Sequence, residues 1–210
     1  MLEKLVKKLL FSMFAACLVI QPVNALDQPD VTIETTVQEL LDEFTANKAS
    51  LQGNKRELFA LVDRIALPLF DFDRISKLVL AKNWKNASAQ QRKDFALEFK
   101  RLLIGSYATA LFQYTGKEKM VFTSTNIKEK KGKKFATVKS EVTLSSGPGI
   151  PVNYSLMLNE NDQWKIYNMD IAGLNMVTSY RKTYGSTIRS KGVDGLIESM
   201  KLTNEKNYGS

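Results

Sequence analysis

The chain has 210 residues, with 30 Lys and Arg against 22 Asp and Glu, a formal net charge of +8, one cysteine and no histidine. Without histidine it lacks the usual general base at neutral pH, the commonest zinc ligand and every Ser-His or Cys-His nucleophile pair, which argues against an unaided hydrolase or a zinc enzyme. A basic balance of this size suits nucleic acid or an anionic lipid surface.

The first 25 residues have the layout of a secretory signal peptide. Lys4, Lys7 and Lys8 precede an apolar run from Leu9 to Ile20, and Val23-Asn24-Ala25 supplies a small-x-small cleavage site. The apolar run is about a dozen residues, short of the roughly 20 that span a bilayer. Phe14-Ala15-Ala16-Cys17 loosely resembles a lipobox, the alternative at this position, but Phe14 stands where Leu, Val or Ile is usual and the chain stays apolar after Cys17. Cleavage after Ala25 leaves 185 residues with 27 basic and 21 acidic side chains, a net charge of +6. That mature chain has no cysteine, hence no disulfide and no thiol chemistry. An exported protein rarely meets nucleic acid but does meet anionic lipid surfaces, so the charge is read as membrane-facing.

Residues 26–210 read as a single α+β domain: helical over 30–115, a sheet over 119–171 and closing helices over 174–201. Val31 to Ala49 places Val37, Leu40, Leu41 and Phe44 on one helical stripe. A second helix runs from Asn54 or Lys55 to Ala66 and is broken by Pro68, and a third covers Phe72 to Asn83. Ser88-Ala89-Gln90-Gln91 is a capping box that opens the longest helix. Its apolar positions Phe95, Phe99, Leu102, Leu103, Tyr107, Ala110, Leu111 and Tyr114 recur by three and four over about 25 residues. From Met120 to Asp170 the period becomes two, which predicts four antiparallel strands in a meander: Val121–Glu129, Lys133–Ser145, Pro151–Asn159 and a strand from Trp164. Ser145-Ser146-Gly147-Pro148-Gly149 is the loop between the second and third strands. Helices over Val177–Ile188 and Val193–Met200, separated by Lys191-Gly192, close the chain.

Chemistry-bearing motifs are scarce: no glycine-rich phosphate loop, nucleophile elbow or clustered ligand set is present. No catalytic residue, metal ligand or cofactor is expected. Asp71 reads as a helix cap, and Asp170 as a partner for Arg181 or Arg189. Lys128-Glu129-Lys130-Lys131-Gly132-Lys133-Lys134 is a lysine-rich hairpin turn, of the kind that is ordinarily just solvated, with docking on anionic headgroups as the alternative. What remains is an excess of large apolar and aromatic side chains on elements that face each other, a pattern shared by a packed core and a cavity lining.

Leu80 to Phe95 with its Trp84, Ala87-Ser88, Gln90-Gln91 and Phe95, followed by Phe99, Leu102, Leu103 and Ser106-Tyr107, resembles the MlaC family, also called the toluene-tolerance or ABC-transporter auxiliary family. Trp164 to Arg181 resembles its second signature and Gly192-Val193-Asp194-Gly195-Leu196-Ile197 its C-terminal one. The chain departs at Leu174-Asn175-Met176, where the family often has a serine-leucine pair, and at Ser179, where asparagine is common. The resemblance implies a twisted four-stranded antiparallel sheet wrapped by helices, NTF2-like, with an apolar cavity between sheet and helices for phospholipid tails. It implies a periplasmic carrier, not an enzyme, working between an outer-membrane lipoprotein-porin complex and an inner-membrane ABC transporter with a ring of lipid-binding domains, through transient membrane contact. The tail contacts are expected on Phe99, Leu103, Tyr107, Tyr154, Leu156, Trp164, Val177 and Tyr180, with a gate where Gly173 meets a helix beginning near Leu174. A carrier of hopanoid or another apolar lipid, and an exported NTF2-like module that binds protein around a filled core, are the alternatives.

Overall fold

The computed structural model describes residues 28–144 and 147–209. The segment read as a signal peptide, with Cys17, and Ser145-Ser146 of the loop lie outside the described residues.

Helix α1 spans Pro29–Ala46. It begins two residues before the apolar stripe because Pro29 stands in its first turn, where proline's fixed φ is already helical and its missing N–H has no partner to lose. A single turn, α2 (Lys48–Leu51), leads to α3 (Lys55–Ile65), whose Asn54 cap accepts from the Glu57 amide at 3.2 Å. Pro68 lies in a 3-10 turn, Leu67–Leu69, and Phe70 then joins the sheet edge through a parallel bridge to Ile166. Asp71 caps α4 (Phe72–Leu80), accepting from the Arg74 amide at 2.8 Å. After α5 (Asn83–Asn86) the capping box opens α6 (Ala89–Tyr107): the Gln91 amide donates to Ser88 Oγ at 3.1 Å and the Ser88 amide to Gln91 Oε1 at 2.8 Å. The long helix ends at Tyr107, sooner than its apolar spacing predicts, and continues as a 3-10 segment, Ala108–Gln113.

The sheet runs β1 (Lys119–Lys130), β2 (Lys133–Thr143), β3 (Ile150–Leu158), β4 (Trp164–Ile171) and β5 (Leu174–Asn175), antiparallel and in chain order. It therefore has five strands where the period-two pattern predicts four. The fifth exists because Ala172 (φ 52°) and Gly173 (φ 82°) supply the two positive φ values of a two-residue hairpin turn, pairing Ile171 with Leu174. Asn175 then caps the next helix, its Oδ1 accepting from the Thr178 amide at 3.0 Å. Leu174, expected near the start of that helix, is on this edge strand and 73% exposed.

Helix α7 spans Met176–Gly209 but is two helices, broken at Gly192 (φ 72°, ψ −178°) where Lys191-Gly192 is read as the separator. Its second half runs well past Met200, and Asn204 pins it to α6. The buried Asn204 amide donates to the Glu98 carbonyl at 2.8 Å and to Glu98 Oε2 at 2.7 Å.

Three apolar clusters follow from this arrangement. One joins a face of the sheet (Ala136, Val138, Val152, Tyr154, Leu156, Trp164, Ile166) to Ile33 of α1 and Leu69. The second joins α4, α6 and α7 through Ile75, Val79, Phe95, Phe99, Val177, Tyr184, Leu196 and Met200. The third ties the end of α1 to α3 and the end of α6 through Phe44, Leu58, Phe59 and Ile104.

Candidate functional site

The eight residues read as a tail-binding set fall into two groups and one outlier. Tyr154, Leu156 and Trp164 are buried in the sheet cluster. Phe99 and Val177 are buried, and Leu103 and Tyr180 half-buried, in the helical cluster. Tyr107 is 59% exposed, so it is not a wall of either.

The division has a geometric cause. Adjacent residues of a strand point to opposite faces, and here Ala136 and Ile166 join the sheet cluster while Phe135 and Tyr167 meet on the other face with ring centroids 6.3 Å apart. Tyr167 packs against the helical cluster, so β4 stands between the two groups of candidate residues. Arg74 of α4 covers this second face, with its guanidinium 4.8 Å from the Tyr167 ring and 5.5 Å from Phe135. The cation-π contact holds α4 on the sheet without a carboxylate.

The seam between α6 and α7 is rich in aromatic side chains. Phe99 meets Tyr180 edge-on at 4.9 Å and Tyr184 at 5.9 Å, and Phe95 stacks on Phe99 at 5.5 Å. Tyr107 and Tyr180 bring their hydroxyls within 3.4 Å at the outer end of the seam. Burial raises the phenols of Tyr180 and Tyr184 above their ordinary range, and Tyr107 close by reinforces both shifts. Tyr154 in the sheet cluster is raised by burial as well, against a smaller opposing effect of the Ser140 hydroxyl. All three are neutral donors at physiological pH. Tyr184 does not belong to the eight, although its place four residues after Tyr180 on a helix puts it on the same face. Met176, Leu196 and Met200, which complete the seam, carry only the ordinary helical signal.

Two clefts open beside these clusters. One, of about 350 Å³, lies between the halves of α7 and is lined by Leu102, Tyr184, Leu196 and Met200 with Thr and Ser side chains and Lys191. The other, of about 260 Å³, is lined by Thr32 and Thr36 of α1, Leu69 and Trp164. Trp164 is the one member of the eight on either wall.

Two further expectations are corrected. Asp170 does not pair with Arg181: its Oδ1 accepts from the Gly173 amide at 3.1 Å, and Arg181 donates to the Leu78 carbonyl at 2.6 and 2.9 Å. The Gly173 junction, expected as a gate, is a hydrogen-bonded hairpin turn, with the Ala172 amide donating to the Pro151 carbonyl at 2.9 Å. Among the described residues no group of three or more His, Cys, Asp or Glu side chains could hold a metal ion, and no helix is long and apolar enough to cross a membrane.

Residues 34–202 match the family model described as MlaC protein. The chain is 30% identical to the toluene tolerance protein ttg2D of Pseudomonas putida over 171 residues, covering 81% of this chain and 77% of that one. It is 25% identical over 187 residues to the intermembrane phospholipid transport system binding protein MlaC of Haemophilus influenzae, covering 88% of this chain and 86% of that one. Among solved structures it resembles the phospholipid-binding protein of Ralstonia solanacearum, determined in complex with a phospholipid, with a TM-score of 0.75 and 24% identity over 86% of this chain and 98% of that one. That likeness shows the fold, and the match over residues 34–202, carried by the same helices and strands that build the aromatic seam, shows that the chain belongs to the MlaC family.

Proposed function

We propose that this protein is an exported, periplasmic phospholipid carrier that shields acyl tails between its sheet and helices and is not an enzyme. The observation that carries the reading is the seam of α6 and α7 in a chain of this family. Buried Phe95, Phe99 and Val177 are bordered there by half-buried Leu102, Leu103, Met176 and Tyr180. The names of the relatives and the bound lipid of the Ralstonia solanacearum protein support it.

The need for a carrier follows from the cost of exposing tails. Burying about 30 methylenes at roughly 0.8 kcal/mol each is worth on the order of 24 kcal/mol relative to water. At about 30 Å³ per methylene, close to the volume of a water molecule, those tails need about 900 Å³. Phe95, Phe99 and Val177 are buried against one another in the lipid-free fold, so tails entering the seam would part α6 from α7, which is already divided into two halves at Gly192.

The lipid would travel between an outer-membrane lipoprotein-porin complex and an inner-membrane ABC transporter with a ring of lipid-binding domains, maintaining outer-membrane lipid asymmetry. The β1–β2 hairpin suits transient contact with an anionic membrane: Lys128, Lys130, Lys131, Lys133 and Lys134 are all exposed around its two-residue turn.

Native mass spectrometry with lipid extraction tests the proposal, on protein purified without detergent from a Gram-negative periplasm. A stoichiometric adduct at phospholipid mass supports it and gives the number of tails, and a hopanoid adduct would move the reading to the related apolar-lipid carrier. The close packing of both clusters favours one rival, an exported NTF2-like protein-binding module with a filled core. A bare protein that also takes up no lipid from vesicles would establish that rival.

A further inference from the structure

At the outer end of the α6–α7 seam three phenols converge. Tyr107 closes α6, Tyr180 and Tyr184 stand one helical turn apart on α7, and the Tyr180 and Tyr184 rings are 5.5 Å apart. The Tyr184 ring is 93% buried, and its hydroxyl is sealed from solvent with no hydrogen-bond partner. A buried hydroxyl left unpaired costs free energy that a native structure ordinarily avoids. The neighbouring pair is also unfulfilled: 3.4 Å between the Tyr107 and Tyr180 oxygens is well beyond the 2.7–2.8 Å typical of O–H···O bonds. Three O–H donors thus lie within one aromatic seam with capacity to spare.

Their surroundings define the missing partner. On the inner side lie Phe95, Phe99 and Val177, all buried, whereas Tyr107 is 59% exposed and marks the solvent side. The group that fits is one with apolar chain below it and a polar end above. The inner side of the site is apolar and closed to water, and an uncharged oxygen acceptor suits it, because an anion drawn down among those rings would lose its hydration.

We propose that Tyr107, Tyr180 and Tyr184 form an ester subsite, donating hydrogen bonds to the carbonyl oxygens that join the acyl chains of a bound lipid to its glycerol. The subsite rests on the carrier reading and refines it. Tails are held by apolar contact of any length, while the phenols fix how deep the lipid enters, and the headgroup beyond them goes unread. Tyr107 and Tyr180 accordingly move from tail contacts to ester contacts, and Tyr184 joins them.

The test compares lipids with and without the acceptor. The full-length protein recovered from cells is stripped of lipid and offered an equimolar mixture of dipalmitoyl phosphatidylglycerol and its dihexadecyl ether analogue, which has matching tails and headgroup but no carbonyl. Native mass spectrometry reads the ratio of the two adducts. The wild type should favour the diester by ~2- to 10-fold, the equilibrium value of one net hydrogen bond, and Tyr184→Phe and Tyr180→Phe should each bring the ratio toward one. Tyr184→Phe should also melt no lower than wild type, since the oxygen it deletes has no partner in the lipid-free fold. Equal retention of the two lipids by the wild type, or an unchanged preference in both variants, overturns the subsite while the carrier reading stands. If the phosphate were the acceptor, the wild type would hold both lipids equally and the variants would lose both together, which also overturns it. A wild type that retains neither lipid overturns the carrier reading and the subsite with it.

Discussion

Asn204 offers a direct perturbation of the contact that sets the geometry of the seam. Its side chain is fully buried and its amide bonds both the Glu98 carbonyl and the Glu98 carboxylate, which is itself 7% exposed and paired with Arg101 at 3.2 Å. Asn204→Leu deletes one bond to a charged group, about 1.5–3 kcal/mol, and one to a neutral carbonyl, about 0.5–1.5 kcal/mol. It also removes the Asn204 Oδ1, which is buried without a donor, and this returns about 1–3 kcal/mol. The net loss should be about 1 kcal/mol, or about 2–4 °C in Tm for a domain of this size. Asn204→Asp keeps the shape but sets a second carboxylate against Glu98, and the uncompensated buried charge should cost about 3–5 kcal/mol. With a urea dependence near 2 kcal/mol per molar, the midpoints should fall by about 0.5 M for the leucine variant and about 2 M for the aspartate variant at pH 7. The pH arm separates charge from shape. The introduced carboxyl is favoured protonated in the fold, so its folded pKa lies above the unfolded value of about 3.9. Its penalty is absent below that value and grows as pH rises through the folded one. Equal midpoints for the two variants at pH 7, or an aspartate deficit that persists at pH 4, would refute an electrostatic pin.

Gly192→Ala should destabilise by about 1–3 kcal/mol, because φ 72° with ψ −178° is a conformation that only glycine adopts freely, although the added methyl meets nothing within 4 Å. An unchanged melting curve would mean that the break between the halves of α7 does not need glycine. Of the seven tyrosines, burial raises Tyr154, Tyr180, Tyr184 and Tyr208, the last to about 12. The folded protein should therefore show a late phase of phenolate absorbance, and its stability should fall as pH rises above about 10, where unfolded phenols ionise first. One transition near pH 10 for all seven in a protein that is still folded would contradict these burials. Replacing Lys130, Lys131, Lys133 and Lys134 with glutamate should cut binding to phosphatidylglycerol vesicles more than tenfold, at about 1 kcal/mol for each basic residue near the surface. The wild-type binding should weaken with salt, and co-sedimentation unaffected by the four changes would remove the hairpin from the membrane contact.

Local features were legible in the sequence because their causes are local. The Ser88-Gln91 capping box, the Asp71 cap, the strand alternation and the Gly192 break are each specified within a few residues, and each is where the pattern puts it. The fifth strand escaped because its turn is Ala172-Gly173 and not the Asn-Gly or Asp-Gly pair that announces a hairpin. Tyr107 escaped through accumulated phase: eight residues beyond Phe99 at 3.6 per turn, it is rotated about 80° from that ring, toward solvent. The separation of Tyr154, Leu156 and Trp164 from Phe99 and Val177 is tertiary, since apolar spacing says which face is buried but not which side of β4 covers it. An unpartnered phenol such as Tyr184 leaves no trace in a sequence at all.

The packed state of the seam bears on how such a carrier would release its cargo. A preformed apolar cavity of the required size would bind tails with nearly their full transfer free energy from water, on the order of 24 kcal/mol for about 30 methylenes, and would compete with the bilayer on equal terms or better. On the proposed reading, tails would first displace contacts that Phe95, Phe99, Val177 and Leu196 make with one another. Every such contact re-forms when lipid leaves, so closure of α6 on α7 opposes retention by the apolar area it reburies, at about 25 cal/mol per Å². On the proposed reading, side chains that seal the empty protein are therefore also what lowers its hold on lipid toward that of a membrane. Substitutions that loosen the α6–α7 contact without touching the tail walls, Asn204→Leu among them, should weaken the fold and lengthen lipid retention together. A variant that lost stability and lipid in parallel would show instead that the seam serves the loaded form.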